Sequence, residues 1–281
     1  MTDFSEPSEL ALPFATAIAR EYGGTITALH VLAPPPYVYT TPEVTALSIE
    51  ALEDSAQSEM DRVAARLVGV PHETMILRGN VWQSLQDSIQ KTSADLIVLG
   101  THGRTGAQKL LLGSVAEEIF RRADIPVLTV GPNVKKGSHN AGRFYRILCA
   151  IDFTPQALAA APYAISLAQE NQARLILMYA AREVGSSHQL KAGELTVADA
   201  MHQLHDVVPE EAEFWCRPEA IVDYGDARER IVQVARERGA DLIVMGVRNR
   251  PGRLGAATHL ERSTAHNVVT RAECPVMTVR T

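Results

Sequence analysis

Short apolar runs alternate with longer segments of helical periodicity along the first half of the chain. The apolar runs predict strands at residues 25–32, 73–78, 96–100 and 127–130. The segments between them repeat apolar residues every three or four positions and predict helices at residues 44–67, 81–91 and 114–122. Residues 96–99 are apolar at every position, which is typical of a strand that helices cover on both faces. The pattern therefore predicts an α/β fold with a doubly wound parallel sheet.

The second half of the chain repeats the first. Asp3-Phe4-Ser5 recurs 149 residues later as Asp152-Phe153-Thr154, and Ala-Asp-Leu-Ile-Val-Leu-Gly at residues 94–100 recurs at 240–246 with one change. Matches in the same order at nearly constant offsets indicate duplication of a whole domain. We expect two tandem domains, residues 1–132 and 144–281, joined by an exposed, polar and glycine-rich linker at 133–143.

The first unit lacks one strand of the second. The second unit opens with the apolar run Arg146 to Ile151, which leads into Asp152, whereas only two residues precede the matching Asp3. In a doubly wound fold this strand lies inside the sheet, so its absence leaves neighbouring strands without ladder partners. We expect either that translation starts upstream of Met1 or that the first unit is truncated.

Composition narrows the class of protein. Apolar residues make up 46% of the chain and charged residues 21%, which is ordinary for a soluble globular protein. The formal net charge of -6 argues against nucleic acid as a partner, because binding to a duplex needs clustered Lys and Arg. The 3 cysteines are scattered, and we find neither a membrane-spanning apolar stretch nor a secretory signal. These features predict a cytoplasmic protein.

A glycine-rich segment follows the strand that ends at residue 99. It reads Gly100-Thr101-His102-Gly103-Arg104-Thr105-Gly106, and after six more residues Gly113-Ser114-Val115 opens a predicted helix. Glycines at such a junction let backbone N–H groups approach phosphate oxygens, and the helix dipole favours negative charge there. The Ser114 hydroxyl can also donate to a phosphate, and His102 and Arg104 are close enough in sequence to border the same cavity. A purely structural alternative is a capping box of Ser114 and Glu117.

These residues resemble the universal stress protein family in its ATP-binding subclass, and the likeness covers both halves of the chain. The resemblance implies two Rossmann-like domains of the adenine nucleotide alpha hydrolase type. It places adenine and ribose near the acceptor Asp3 and the strand end at Val31, with Thr2 and Leu99 supplying pocket wall and backbone contacts. It places the triphosphate over a set of loop and helix residues: Gly100, Gly103, Gly113, Ser114 and Val115. The expected cofactor is ATP, with or without Mg²⁺.

The second unit departs from this motif. Residues 247–249 read Val-Arg-Asn where the second glycine belongs, and Arg262 replaces the glycine before Ser263. A side chain at either position would obstruct the close approach of the backbone to a phosphate. Thr258 and Glu261 form another candidate capping box, which would start the helix early. We therefore expect nucleotide binding in the first unit alone.

No catalytic constellation is visible in the sequence. It has neither the lysine-containing phosphate loop of P-loop ATPases nor the Gly-x-Ser-x-Gly elbow of hydrolases, and the pair His202 and His205 lacks a third metal ligand. We interpret the chain as a nucleotide-dependent stress-response regulator or interaction module. The alternatives are a slow ATPase, with His102 or Arg104 near the phosphates, and a ligand-free dimerising scaffold.

The last strand of each unit predicts how the units meet. In a five-stranded sheet of this type Val127–Val130 and residues 276–279 should lie at edges, and apolar β-branched edges seldom stay exposed. The family resemblance implies that these edges pair. We therefore expect antiparallel pairing within the chain, in the manner of a homodimer of single domains, with further homo-oligomers possible through other faces.

Overall fold

A computed structural model describes residues 1–33, 42–101, 113–135, 143–181, 195–247 and 263–280. In the first unit, helices and strands follow one another as α1 (Glu6–Tyr22), β1 (Ile26–Leu32), α2 (Pro42–Arg66), β2 (His72–Arg78), α3 (Val81–Thr92), β3 (Ile97–Gly100), α4 (Ser114–Arg122) and β4 (Val127–Val130). The second unit contains β5 (Arg146–Ala150), α5 (Pro155–Asn171), β6 (Arg174–Ala181), α6 (Val197–Asp206), β7 (Glu219–Tyr224), α7 (Ala227–Arg238), β8 (Leu242–Val247), α8 (Thr264–Arg271) and β9 (Val276–Arg280). A short 3-10 helix, Glu210–Phe214, precedes β7.

Every strand and helix that the periodicity predicts in the first unit is present, with ends shifted by at most two residues. The prediction missed α1. This helix has Pro13 in its interior, a residue that normally interrupts the hydrogen-bond ladder of a helix. Its ends carry clear signals, because the Ser5 side chain accepts a hydrogen bond from the Ser8 amide and Gly23 closes the helix in the left-handed conformation.

The strands form a seven-stranded sheet in the order β3-β4-β9-β8-β5-β6-β7 and a two-stranded sheet of β1 and β2. All neighbours are parallel except β4 and β9. The second unit thus has a complete doubly wound sheet with β5 in its centre. The prediction of two tandem doubly wound α/β units is confirmed.

Antiparallel pairing of β4 with β9 joins the two units. The register pairs Val127 with Thr278, Leu128 with Met277 and Thr129 with Val276. The Ile97 amide donates to the Pro126 carbonyl, so alternation along β4 turns the backbone groups of Val127 and Thr129 toward β9. The predicted edge-to-edge pairing within the chain is therefore confirmed, and both edges become interior strands.

Among the described residues of the first unit, no strand corresponds to β5, in agreement with the sequence comparison. Residues 1 and 2 occupy only the carboxyl end of that position: the Met1 nitrogen donates to the Val98 carbonyl at 3.0 Å and the Thr2 amide to the Leu29 carbonyl at 2.9 Å. In the second unit the Ile151 amide donates to the Met178 carbonyl at 2.8 Å, which is the same bond 149 residues later.

Residues 133–135, at the start of the predicted linker, contact the second unit, while Asn133 and Lys135 remain exposed. Gly131 and Val134 are buried, and the Asn133 side chain donates to the Thr270 carbonyl of α8 at 3.0 Å. A Cβ on Gly131 would overlap the carbonyl oxygen of Val269, so this close approach requires glycine. The polar composition of the segment gives no sign of this contact, because Val134 is the only apolar residue among the described residues 133–135. Residues 136–142 lie outside the described ranges.

Pairing of β4 with β9 generates a prediction at Thr129, which is buried and whose hydroxyl has no hydrogen-bond partner among the described residues. Thr129→Pro removes an amide that faces β9, and we expect it to lower the free energy of unfolding by roughly 2–4 kcal/mol. Thr129→Val keeps the amide and removes the unpaired hydroxyl, so stability should stay unchanged or rise by about 1 kcal/mol. Urea unfolding followed by circular dichroism measures both, and equal stabilities of the two variants would contradict the assigned ladder.

Candidate functional site

The candidate site lies at the carboxyl ends of β1 and β3, where residues 1–3 pass between the two strands. The equivalent place in the second unit lies between the parallel strands β5 and β8. From β5 the chain adds β6 and β7 on one side and then β8 and β9 on the other, so this is the switch point of the sheet. Ligands of open α/β sheets bind in the crevice at such a switch point, outside the carboxyl ends of the strands. The structure thus brings Thr2, Asp3 and Gly100 to the edge of the sheet at which this fold class binds ligands.

Asp3 is held by a local turn. Its Oδ1 accepts hydrogen bonds from the Ser5 amide at 3.1 Å and the Ser5 hydroxyl at 2.6 Å, while Phe4 adopts a positive φ of 61°. Asp152 and Thr154 repeat the amide contact at 3.1 Å, and Phe153 has a φ of 56°. The turn fixes the carboxylate just before the first helix, so Asp3 is a preoriented hydrogen-bond acceptor at the strand end.

His30 is a residue of this region that the sequence analysis missed. It is buried on β1, its Nδ1 lies 2.9 Å from the Thr2 carbonyl oxygen, and its ring centroid is 4.3 Å from that of Phe4. The second unit has the pair Phe153 and Tyr179 at 5.1 Å in the same place. The repeat itself carried the signal, because His30 and Tyr179 are 149 residues apart. The ring contact supports the turn that presents Asp3.

Three of the predicted ligand contacts have side chains that are buried or hydrogen-bonded within the protein. Val31 and Leu99 are buried in the same core cluster, with exposed fractions of 8% and 4%. The Thr2 hydroxyl accepts a hydrogen bond from the Phe4 amide at 3.0 Å and lies 3.1 Å from the Ser8 hydroxyl. Any contact that these residues make with a ligand must therefore come mainly from backbone atoms, which strand ends present at this edge.

Gly100 has a structural reason to be glycine. A Cβ at this position would overlap the carbonyl oxygen of Pro7, in the first turn of α1, and a Cβ on Gly246 would overlap that of Gln156 in the same way. Glycine is thus needed where β3 meets α1 in the first unit and where β8 meets α5 in the second. The sequence analysis linked Gly100 to phosphate approach alone and missed this helix contact.

Among the residues that the structure describes, no side chain caps the first turn of α4, and we call this helix start open in that sense. The N-cap residue is Gly113, which makes no side-chain cap bond, and Ser114 is the first helical residue, with an exposed side chain. The capping box of Ser114 and Glu117 that the sequence allows is therefore absent, because Ser114 lies one position too late. The Gly113 amide donates to the Thr101 carbonyl at 2.7 Å, which ties the helix start to the end of β3.

The matching helix of the second unit is closed. Ser263, 149 residues after Ser114, is the N-cap of α8, and its hydroxyl accepts a hydrogen bond from the His266 amide at 3.2 Å. Arg262 stands where the first unit has Gly113. Relative to the repeat, the N-caps of α4 and α8 differ by one residue. In α8 the Ser263 side chain accepts a hydrogen bond from one of the backbone amides that would otherwise be free in the first turn.

Several predicted site residues lie outside the described ranges. They are His102, Gly103 and Arg104 in the first unit, and Arg248, Asn249, Thr258, Glu261 and Arg262 in the second. Within the described ranges, no group of three His, Cys, Asp or Glu side chains is arranged to hold a metal ion. His202 contacts Asp206 at 2.9 Å on the exposed face of α6. No described helix combines the length and the apolar character that crossing a membrane requires.

The duplicated sheet, with a glycine-to-helix junction at its switch point, defines a class of tandem doubly wound α/β proteins. The sequence model of the Universal stress protein family matches the chain twice, at residues 1–131 and 143–280. Since the two matches take in most of the chain, the protein belongs to the universal stress protein family.

Individual relatives agree with this assignment. Universal stress protein MJ0531 of Methanocaldococcus jannaschii is 36% identical over 132 residues, which cover 46% of this chain and 78% of that protein. A universal stress protein of Mycolicibacterium smegmatis is 25% identical over an alignment that covers 99% of this chain and 95% of the relative. A solved universal stress protein from Archaeoglobus fulgidus shares the fold with a TM-score of 0.69 and 19% identity, covering 99% of this chain and 96% of that one.

The contact of Gly100 with α1 leads to a prediction that distinguishes the glycines required for packing, Gly100 and Gly246, from Gly113. Gly100→Ala should lower the free energy of unfolding by about 1–3 kcal/mol, because the backbone of α1 must move away from β3. Gly246→Ala should have a similar effect. Gly113 has φ -61° and ψ 143°, which alanine also adopts, so Gly113→Ala should lose only about 0.5–1 kcal/mol, because alanine is a poorer N-cap than glycine. Thermal unfolding of the three variants without nucleotide checks this, and native stability of Gly100→Ala would rule out the proposed packing role.

Proposed function

We propose that the chain is a stress-response protein that binds ATP in its first unit and acts as a nucleotide-dependent regulator or interaction module in the cytoplasm. The observation that carries this proposal is the open N-terminus of α4, which the hydrogen bond from Gly113 to Thr101 ties to the end of β3 at the switch point. The resemblance of the glycine spacing to ATP-binding universal stress proteins supports the same ligand.

The phosphate end of the ligand would lie over the first turn of α4. The first intrahelical bond there runs from the Glu117 amide to the Gly113 carbonyl, which leaves the amides of Ser114, Val115 and Ala116 ahead of it in the turn. These N–H groups and the positive end of the helix dipole favour an anion. The exposed Ser114 side chain adds a hydroxyl donor on the same turn.

The nucleoside end would lie toward Asp3. A carboxylate is an acceptor for ribose hydroxyls, and the turn through Phe4 holds this one before a ligand arrives. Such preorganisation lowers the entropic cost of binding. His102 and Arg104 lie between Gly100 and Gly113 in the sequence and outside the described ranges, so the proposal assigns them only a position near the phosphates.

The second unit is proposed to remain without nucleotide. Its helix start is occupied by the Ser263 hydroxyl, and Arg262 replaces the glycine through which a phosphate would approach. Asp152 still has the same turn as Asp3, so the nucleoside end alone does not distinguish the units. The difference lies at the phosphate end.

Retention of ATP without rapid turnover is part of the proposal. A slow ATPase, the enzyme alternative, would release ADP from a stoichiometric complex, whereas a binding module would return intact ATP. A single-turnover incubation with labelled ATP, followed by chromatography of the bound fraction, distinguishes them. Intact ATP after many hours supports the binding module. Formation of ADP at a rate that falls when His102 or Arg104 is substituted would show instead that the protein is a slow ATPase.

Gly113 provides the sharpest test of the phosphate site. Gly113→Asp and Gly113→Asn both place a good N-cap side chain on α4, so both should fold at least as stably as the parent. Asp also puts a negative charge where the proposal places phosphate, and we expect it to weaken ATP binding by about 100-fold or more. Asn takes up an amide donor without adding charge and should weaken binding less.

Calorimetric titration of the two variants and the parent with ATP provides the measurement, and unfolding curves confirm that all three are folded. Ser263→Asp in the second unit is the matched control, since it adds the same single negative charge at the N-cap of α8, at a site that we expect to bind nothing. Unchanged ATP affinity in Gly113→Asp, or a comparable loss in Ser263→Asp, would overturn the assigned site.

A further inference from the structure

Four arginines lie at the amino ends of the parallel strands of the second unit. Arg146 is the first residue of β5 and Arg174 the first of β6. Arg217 lies two residues before β7, and Arg238 is the last residue of α7, which leads into β8. Because parallel strands begin at the same edge of a sheet, the four lie at one edge, opposite to the strand ends that form the ligand crevice. We call them the arginine cluster.

Direct contacts hold three members of the cluster together. Glu219, the first residue of β7, forms ion pairs with Arg174 at 2.8 Å and with Arg238 at 2.9 Å. Arg146 is the in-register neighbour of Arg174 on the adjacent strand. Its guanidinium group lies 3.1 Å from the place where a Cβ of Gly239 would be, next to Arg238. Three guanidinium groups are thus neighbours, and a single carboxylate lies between two of them.

The positive charge of the cluster exceeds the negative charge around it. Arg146 and Arg174 are directly paired on neighbouring strands, where like charges repel. The Asp241 carboxylate is close, but both of its oxygens accept backbone amides at the start of β5. Within the described ranges, no ion pair joins Arg146 or Arg217 to a carboxylate. In a chain with a net charge of -6, this is a local surface that favours an anionic partner.

The first unit keeps the glutamate of this arrangement and lacks its arginines. Glu73 corresponds to Glu219 in the repeat, and it accepts a hydrogen bond from the Thr27 hydroxyl at 2.8 Å. The counterparts of Arg174 and Arg238 are threonines, at residues 25 and 92. The same strands therefore form without the arginines, which points to a role beyond the packing of the fold.

The cluster is open to solvent, and two exposed aromatic side chains lie at the same edge of the sheet. Arg174 and Arg238 are 55% and 47% exposed in spite of their contacts with Glu219. Tyr145, directly before β5, is 53% exposed, and Phe214, at the end of the 3-10 helix before β7, is 90% exposed. Arginine and aromatic side chains contribute most of the binding energy at protein interfaces.

We propose that the arginine cluster binds an acidic segment of a partner protein. The segment is extended, four or five residues long, and carries at least two Asp or Glu side chains and one apolar side chain. Glu219 shows the chemistry of recognition, because two guanidinium groups already hold its carboxylate. The starts of β8, β5, β6 and β7 span about 14 Å, which is the length of about four extended residues.

The observations favour a peptide over a nucleic acid. The net charge of -6 repels a polyanion that extends beyond the cluster, whereas a short acidic segment contacts the arginines alone. The apolar side chain of the segment would pack on Tyr145 or Phe214. This surface is separate from the proposed nucleotide site, so its test needs no ATP.

The test measures binding of the peptide Gly-Asp-Glu-Phe-Glu-Asp-Gly to the full chain by fluorescence anisotropy. The peptide is blocked at both ends and carries a fluorophore, and the matched control peptide has Asn and Gln in place of Asp and Glu. At low salt the acidic peptide should bind at least about 10-fold more tightly than the control, and added salt should reduce the difference. Equal binding of the two peptides, or binding of neither, would overturn the proposal.

Substitutions assign the peptide to the cluster. Arg217→Gln or Arg174→Gln should weaken its binding by about 3- to 10-fold. Arg62→Gln is the matched control, an exposed arginine of α2 that also pairs with a glutamate, and it should change the affinity by less than about 2-fold. Glu219→Gln should have the opposite effect and strengthen binding by about 3-fold, because it releases the guanidinium groups of Arg174 and Arg238.

Two outcomes would replace the proposal with another account. If the arginines only stabilise the carboxyl end of α7, their substitution lowers the melting temperature and Glu219→Gln does not increase the affinity for the acidic peptide. If a labelled oligothymidylate binds more tightly than the acidic peptide and loses affinity in Arg217→Gln, the cluster is a nucleic-acid site.

Discussion

Backbone hydrogen bonding at the sheet edges is the constraint on which the rest of the structure depends. β4 and β9 each end a unit, and their antiparallel pairing removes two apolar edges at once. The core clusters on the two faces of the sheet each contain residues of both units, so the pairing also joins their hydrophobic cores. The chain is consequently one continuous layer from β3 to β7, with β1 and β2 held to it by residues 1 and 2 and by the helices.

The same constraint reaches the candidate site. Residues 1–3 pass between β1 and β3 at the start of the crevice, so the Asp3 turn rests on the bonds that Met1 and Thr2 make with β3 and β1. In the second unit β5 supports the equivalent Asp152 turn along its full length. The unit with the more complete sheet thus has the closed helix start, and the unit with the open helix start has the incomplete sheet.

The sequence predicted the fold well because its signals are local or repeated. Continuous apolar runs located the strands, and the 149-residue repeat located the units and the missing strand. The site was less predictable. Gly100 looked like a phosphate glycine, but its contact is with Pro7, which lies in a helix that Pro13 concealed. Ser263 caps its helix, whereas Ser114 is already the first helical residue. This difference depends on a one-residue shift in the helix start, which the periodicity of apolar residues does not resolve. Burial of Val134 follows from docking against the second unit and has no local signal.

The number of ATP molecules bound per chain tests the central claim most directly, namely that an open helix start makes the first unit the nucleotide site and a capped one closes the second. Native mass spectrometry of the gently purified protein, before and after saturation with ATP, counts them without assumptions about affinity. We predict one nucleotide per chain under saturating conditions. Two nucleotides bound with similar affinity, or none at any concentration, would contradict it.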